Sequence, residues 1–192
     1  MTVKPLLLDV PESFESERLT IRSPRFGDGA ELYSAVAETM DSLRQWMPWA
    51  LMPQNAEVLE EYARRTHVQY LARENFGLLL WLKGTQTVVG GSGLNLLDWS
   101  VPMFEIGYWC RKRFERQGYI TEAVHAITRF GFESLNAERI IIRCDANNAR
   151  SAAVARRAGY MLEGVMRHDS RTVDTNELRD TQQFAMLRSE HK

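Results

Sequence analysis

The chain has 192 residues, of which 44% are hydrophobic and 26% are charged, and these values fit one globular domain of ordinary size. Its 24 Lys and Arg residues are balanced by 25 Asp and Glu residues, so the net charge is −1 and no general field attracts nucleic-acid phosphates. Two cysteines are too few for a disulfide framework or a zinc site, and no apolar run reaches the roughly 20 residues of a membrane helix. We therefore expect a cytoplasmic protein with no metal site and with neither nucleic acid nor membrane as a partner.

The first half of the chain predicts one strand, two helices and then three strands. Polar and apolar residues alternate at 18–22, which is typical of a half-buried strand. Asp28 and Asn55 are predicted to cap the two helices, the second of which runs to about Arg73. An aromatic segment with two prolines, 43–53, joins these helices. The three strands are predicted at 76–82, 87–97 and 104–110.

The second half alternates between helices and strands. A helical period begins at Tyr119 and ends at Asn136. The remaining elements are a strand at 140–142, a helix at 149–158 capped by Asn147 or Asn148, and strands at 160–167 and 181–187. The element order is β-α-α-β-β-β-α-β-α-β-β. This order predicts a mixed α/β (α+β) fold in a single domain, 1–192, with its core at about 16–187.

The segment 104–124 carries the clearest chemical signal. It joins a strand, a basic loop and an amphipathic helix, and the first N–H groups of a helix have no partner within it. Gly118 lets a ligand approach the backbone with no Cβ in the way. Positive charge comes from Arg111, Lys112, Arg113 and Arg116. The segment therefore predicts a phosphate or pyrophosphate site, although it has neither the Walker motif nor the dinucleotide-binding glycine motif.

The same segment resembles the coenzyme-binding motif of the GCN5-related N-acetyltransferases, the GNAT family. That family holds the pyrophosphate of acetyl-CoA with a strand, a loop of the form [QR]-x-x-G-x-[GA] and a helix. Gly118 occupies the central position here, whereas Glu115 and Ile120 depart from the pattern. The resemblance implies the GNAT fold, a mostly antiparallel sheet of about six or seven strands with four helices, and acetyl-CoA as cofactor. The cofactor-binding residues it implies are Gly107, Tyr108, Trp109, Cys110, Arg111, Arg113, Arg116, Gln117, Gly118, Tyr119, Ile120, Thr121, Asn148 and Ser151.

A second match to the same family lies at 142–164. Asn148 and Ser151 stand at the family spacings, but Ala155 replaces the tyrosine that most often serves as general acid. The serine, the run Val-Ala-Arg-Arg after it and the segment 43–49 resemble the subset that acetylates ribosomal-protein N-termini. The resemblance therefore implies transfer of acetyl from acetyl-CoA to a primary amine, in particular the N-terminal α-amine of a protein or peptide.

Direct acetyl transfer needs an oxyanion donor, a proton for the leaving thiolate and a neutral amine. A backbone N–H within 107–110 can be the oxyanion donor, and the resemblance also implies that this strand pairs with the pantetheine arm. Gly107 allows a local splay or bulge of this strand. Ser151 is the candidate that protonates the thiolate, or it only caps its helix. Glu105 is the candidate base, acting through water, or it is a structural carboxylate; Asp145 and Asp169 are lesser candidates.

The lack of an obvious base favours an α-amine, whose pKa is about 7.7–8.0, over lysine, whose pKa is about 10.4. The two cysteines are expected to pack in the core. The candidate substrate-binding residues are Trp46, Trp49, Arg44 and Glu38, although the aromatic pair would also suit a core.

Three other functions stay open at this point. The chain could acetylate a small amine such as a polyamine, an antibiotic or an amino acid. It could be a non-catalytic acyl-CoA-binding module on the same fold. Outside the family, it could bind a phosphate ligand or a nucleotide. A homodimer is compatible with the family resemblance.

Overall fold

The computed structural model describes residues 4–191, in which eight strands form one sheet with four α-helices packed on it. The strands are β1 (Ser13–Glu15), β2 (Leu19–Arg22), β3 (Phe76–Leu82), β4 (Val88–Asp98), β5 (Met103–Cys110), β6 (Arg139–Asp145), β7 (Met161–Arg171) and β8 (Leu178–Leu187). The helices are α1 (Gly29–Trp46), α2 (Ala56–Leu71), α3 (Tyr119–Ser134) and α4 (Ala149–Arg157). The sheet order is β1-β2-β3-β4-β5-β6-β8-β7, and every neighbouring pair is antiparallel except β5 and β6.

The predicted mixed fold and the order of its elements are confirmed, with one additional strand. β1 was not predicted because it has only three residues and none of them is buried. Asn55 caps α2 as predicted, since its side chain accepts a hydrogen bond from the Val58 N–H at 2.8 Å. Asp28 occupies the N-cap position of α1, as predicted, but its side chain makes no capping hydrogen bond within the described residues. Its carboxylate instead accepts two bonds from the Arg22 guanidinium, at 2.7 and 2.8 Å.

Both faces of the sheet are covered, which explains the long apolar run of β3. On one face, α3 and α4 pack over residues such as Phe76, Phe104 and Ile106. On the other face, α1 and α2 cover Leu79 and Trp81. No helix within the described residues, 4–191, has the length and apolarity to cross a membrane.

The strands β5 and β6 separate part-way along their length. Their parallel pairing covers only Met103 to Glu105, which face Arg139 to Ile141. β5 continues for five more residues, to Cys110, while it remains paired with β4 on its other edge. The second half of β5 therefore presents an edge with no strand beside it. The sequence analysis expected a local opening of this kind near Gly107.

Candidate active site

A cavity of about 670 Å³ lies beside this opening, a volume typical of small-molecule and cofactor sites. Its wall comes from the C-terminal end of α1, the end of β5, the loop before α3 and the first turns of α3 and α4. The lining residues used below are Trp46, Met47, Tyr108, Glu115, Arg116, Gly118, Tyr119, Ile120, Thr121, Asn148, Arg150, Ser151, Val154 and Arg157. We call this space the first cavity.

The N-terminus of α3 opens on the first cavity. Gly118 occupies the N-cap position with φ of 84°, a left-handed conformation that favours glycine. No side chain among residues 4–191 makes a capping hydrogen bond to this helix. Tyr119, Ile120 and Thr121, whose N–H groups come before the first helical bond, line the cavity wall. This cradle of free amides fits the pyrophosphate that the sequence motif predicts.

Arg18 contacts this loop from outside the first cavity, a role that no sequence pattern indicated. Its guanidinium lies 4.1 Å from the centre of the Tyr119 ring and donates a 3.1 Å hydrogen bond to the Gln117 carbonyl. It also forms a 2.6 Å ion pair with Glu122 in the first turn of α3. The contacts hold the backbone around Gly118 against β2.

The prediction that Arg111 supplies charge to the coenzyme is wrong. Only 3% of its side chain is exposed, and its nitrogens lie 2.7 Å from carboxylate oxygens of Glu31 and of Glu38. It also donates to the Ser34 hydroxyl at 3.0 Å, and its backbone N–H donates to Val89 at 2.8 Å. Arg111 therefore ties the loop to α1 and β4.

Glu38 was predicted to contact the acceptor, but it is engaged in the same cluster. Besides Arg111, it accepts a 3.0 Å hydrogen bond from the Arg113 N–H and pairs with the Arg113 side chain at 3.1 Å. Burial raises the pKa of Glu38, but the hydrogen bonds and charges of both arginines outweigh it, so its pKa lies below the ordinary value. Arg113 is thereby turned toward α1, which corrects its predicted place at the coenzyme.

Three other arginines bring positive charge to the first cavity. Arg116 from the predicted loop lines it, together with Arg150 and Arg157 of α4. The sequence analysis missed the two α4 residues, although positions 150, 154 and 157 share one helix face by spacing. Glu115 lies among these charges and pairs with Arg150 at 3.2 Å. The wall of the first cavity thus suits an anionic ligand, although Arg111 does not contribute its charge there.

A second cavity of about 220 Å³ lies where β5 and β6 separate. Glu105, Ile106 and Gly107 line it from β5, and residues 142–145 line it from β6. Five residues line both cavities: Trp46, Met47, Tyr108, Asn148 and Ser151. A ligand reaching along the free edge of β5 would therefore pass from one cavity to the other.

Ser151 stands in this shared wall, on the first turn of α4. Its backbone N–H donates a 3.0 Å hydrogen bond to the Asn148 side chain, which resolves the choice between Asn147 and Asn148 as the helix cap. The Tyr108 hydroxyl lies 3.0 Å from Ser151 Oγ. Because Asn148 caps the helix, the Ser151 hydroxyl is free for other contacts.

The two carboxylates of the second cavity both have partners. Glu105 pairs with Arg143 of β6 at 2.6 Å. Asp145 accepts a 2.8 Å hydrogen bond from the Asn147 N–H and faces Arg179 of β8 at 3.8 Å. Of the two roles weighed for Glu105, the ion pair matches the structural one.

Comparison with known proteins identifies the fold family. The family described as the acetyltransferase (GNAT) domain matches residues 18–161. The chain belongs to the GNAT acetyltransferase family. This GNAT chain is therefore an acetyl-CoA-dependent N-acetyltransferase, as its motifs predicted.

Two curated relatives and one solved structure resemble this GNAT chain. YdaF of Bacillus subtilis (strain 168), provisionally named a ribosomal N-acetyltransferase, is 30% identical over 79% of this chain and 82% of its own length. The ribosomal-protein-serine acetyltransferase of Escherichia coli (strain K12) is 26% identical over 79% of this chain and 84% of its own. The RimL ribosomal L7/L12 α-N-protein acetyltransferase, solved with coenzyme A, shares the fold, with a TM-score of 0.82, 21% identity and coverage of 93% and 97% of the two chains.

Only part of the predicted acceptor wall lines the cavities of this GNAT chain. Trp46 lines both of them. Trp49 instead packs edge-on against Trp109, with ring centres 6.4 Å apart, and neither Trp49 nor the exposed Arg44 is in the described lining of either cavity. Gln45 and Met47 take their places in the second cavity. Trp49 lies outside the cavity linings because α1 ends at Trp46 and the chain continues into a 3₁₀ helix at Pro48–Leu51.

The two cysteines of this GNAT chain are thiols of low reactivity. Burial raises the pKa of Cys110 to about 12, with a smaller contribution from Glu115. Burial also raises the pKa of Cys144, against a hydrogen bond with Ser151. Both thiols therefore stay protonated near neutral pH, which disfavours an acyl-cysteine route.

Proposed function

We propose that this N-acetyltransferase modifies the N-terminal α-amine of a protein or peptide. The names of the Bacillus subtilis and Escherichia coli relatives support this acceptor class. The two-cavity arrangement supports it as well, since the second cavity shares five lining residues with the first and gives space for a separate acceptor. A homodimer and a cytoplasmic location stay predictions of the sequence analysis.

The observation that carries this proposal is that the described lining of the two cavities offers no unpaired carboxylate or histidine as a base. Among the described residues that line the two cavities there is no histidine, and each carboxylate has an ion-pair partner. Such a site has no strong base to deprotonate a lysine. At pH 7 a neutral α-amine costs about 3.5 kcal/mol less than a neutral lysine, because their pKa values differ by about 2.5.

The coenzyme is proposed to lie in the first cavity and along β5. The N–H groups of Tyr119, Ile120 and Thr121 would hold the pyrophosphate, with Gly118 giving the clearance and Arg116 adding charge. The unpaired edge of β5 between Gly107 and Cys110 would hold the pantetheine arm as a neighbouring strand does, with further contacts from the backbone of Tyr108 and Trp109 and from Asn148. When bound, the coenzyme supplies an activated acetyl thioester.

The transfer itself is proposed to use fixed groups of the protein. A backbone N–H on the free edge of β5 donates to the thioester oxygen as negative charge develops there. Ser151 donates its hydrogen to the leaving sulphur, and Trp46 closes the wall between the two cavities. Glu105 keeps the acceptor side of the opening in place through Arg143, so in this proposal it is not the base.

A pair of peptides tests the acceptor. One has a free N-terminus and no lysine, and the other has the same sequence with a blocked N-terminus and one internal lysine. We expect kcat/KM at pH 7 to be at least about 30-fold higher for the first peptide, because of the difference in amine pKa. Its rate should rise with pH to about 8 and then level off. Release of coenzyme thiol is the measurement.

A faster reaction with the blocked lysine peptide would overturn the α-amine proposal. Turnover of small amines with neither peptide reacting would favour the small-molecule alternative. Tight binding of acetyl-CoA with no turnover on any acceptor would favour the non-catalytic module.

A further inference from the structure

The hydroxyl of Tyr108 lies in the shared wall of the two cavities and has no role in the reaction proposed above. It lies 3.0 Å from Ser151 Oγ and 2.9 Å from the Ser151 carbonyl oxygen. Tyr108 projects from the face of β5 that also carries Ile106, so it points toward the helices α3 and α4. Its phenol therefore contacts the one hydroxyl that the proposed reaction uses.

The two hydroxyls share only two hydrogens, which limits how they can be arranged. If Tyr108 donates to Ser151 Oγ, the serine hydrogen is free to point at a ligand. If Tyr108 donates to the Ser151 carbonyl, the serine hydrogen can turn to the phenol oxygen and is withdrawn from the cavity. Only the first arrangement presents the serine hydrogen to the leaving sulphur.

The surroundings of Tyr108 keep its phenol a donor at all working pH values. Burial raises the pKa of Tyr108 to about 12, against the hydrogen bond with Ser151. The phenol therefore stays protonated and is available as a hydrogen-bond donor to the Ser151 hydroxyl beside it.

Ala155 stands where the family most often has a tyrosine as general acid, so this position cannot replace Tyr108 and Ser151 as a proton donor. Ala155 is fully buried on α4 and has no hydrogen to donate. Tyr160, a buried phenol after α4, is engaged by the Thr128 hydroxyl at 2.7 Å and is outside the described linings of both cavities.

We propose that Tyr108 is a positioning residue for acetyl transfer, whose hydroxyl donates to Ser151 Oγ and directs the serine hydrogen at the leaving sulphur. This inference rests on the role proposed for Ser151. In the step, a bond forms between the amine nitrogen and the acetyl carbon. The carbon–sulphur bond then breaks with its electron pair on sulphur. Ser151 gives its hydrogen to that sulphur, and the proton lost by nitrogen restores the serine hydroxyl, so the products are an amide and coenzyme thiol.

Three variants test the inference: Tyr108→Phe, Ser151→Ala and the double variant. We expect Tyr108→Phe to lower kcat about tenfold and to leave the KM for acetyl-CoA within about twofold, since phenylalanine keeps the packing. We expect Ser151→Ala to lower kcat about 100-fold, and the double variant to match Ser151→Ala. Tyr160→Phe is the matched control, because it removes a buried phenol hydrogen bond and should leave kcat unchanged.

The outcomes separate this inference from the proposed function. An unchanged kcat in Ser151→Ala would remove the proposed role of the serine and the role of Tyr108 with it. A slow Ser151→Ala with a normal Tyr108→Phe would overturn the Tyr108 inference alone. The inference would also be overturned if Tyr108→Phe lowered kcat by the same factor in the wild-type protein and in the Ser151→Ala variant. The tyrosine would then act through packing and not through the serine hydroxyl.

Tetrafluorotyrosine at position 108 covers the case in which Tyr108→Phe does not fold. Four ring fluorines lower the phenol pKa by several units, enough to bring its ionisation into the assay range even after the rise caused by burial. We therefore expect kcat to fall with rising pH as that phenol ionises and stops donating to Ser151. A pH profile identical to that of the unmodified protein would contradict the inference.

Discussion

Replacing Arg111 by alanine is expected to lower the free energy of unfolding by about 3 kcal/mol. The variant leaves Glu31 and Glu38 without the buried guanidinium that faces both of them at 2.7 Å. The two carboxylates are about 30% exposed, so water offsets part of the loss and the effect lies at the low end for a broken buried ion pair. Urea denaturation followed by circular dichroism would measure it.

Arg113→Ala is the matched control for this experiment. Arg113 pairs with the same Glu38 but is half exposed, so we expect a loss below about 1 kcal/mol. The effect of Arg111 should also depend on pH. Because the folded state lowers the pKa of Glu38, the stabilisation is complete above about pH 5 and is lost as the pH falls through the folded pKa. Equal losses in the two variants at pH 7 would contradict the buried role of Arg111.

Replacing Gly118 by valine is expected to raise the Kd for coenzyme A about 30-fold. At φ of 84° a side chain costs about 1–2 kcal/mol, and a β-branched one is the least tolerated. If the loop relaxes to relieve this strain, the N–H groups at the start of α3 no longer converge on the first cavity, and an anion loses up to about 2 kcal/mol there. Isothermal titration calorimetry with coenzyme A would measure the change.

Gly84→Val supplies the same backbone strain elsewhere. Gly84 has φ of 71° in the connection between β3 and β4, with open space around its Cα, and it is in neither cavity lining. We expect this control to reduce stability while keeping the Kd. A Gly118→Val protein that binds coenzyme A normally would show that the α3 amides do not hold it.

Periodicity predicted the helices and strands because most of them bury one face or two. β3 and the isoleucines of β6 show continuous apolar runs, and α3 shows a helical stripe, so each was found close to its observed bounds. β1 was missed because Phe14 alone of its three residues is partly buried, and one residue makes no pattern. The splay of β5 and β6 was suggested only by a glycine, since strand pairing depends on the register of both strands.

The part of the candidate site that could be predicted is the part whose residues are consecutive in the sequence. The loop before α3 carries its glycine and its free amides in consecutive residues, so the sequence revealed it. The burial of Arg111 could not be predicted, because its carboxylate partners lie more than 70 positions away on α1. Glu105 was ambiguous for the same reason, since Arg143 reaches it only across the two strands.

The short pairing of β5 with β6 also bears on how the protein folds. The strands β1 to β5 are neighbours both in sequence and in the sheet, whereas β6, β8 and β7 form a separate group after α3. Within the described residues, the register of β5 with β6 covers three residue pairs, Met103 to Glu105 with Arg139 to Ile141. Contacts between sequence neighbours form fastest, so we expect the hairpins β4–β5 and β7–β8 to gain protection first in pulsed hydrogen exchange and the junction between β5 and β6 to close last.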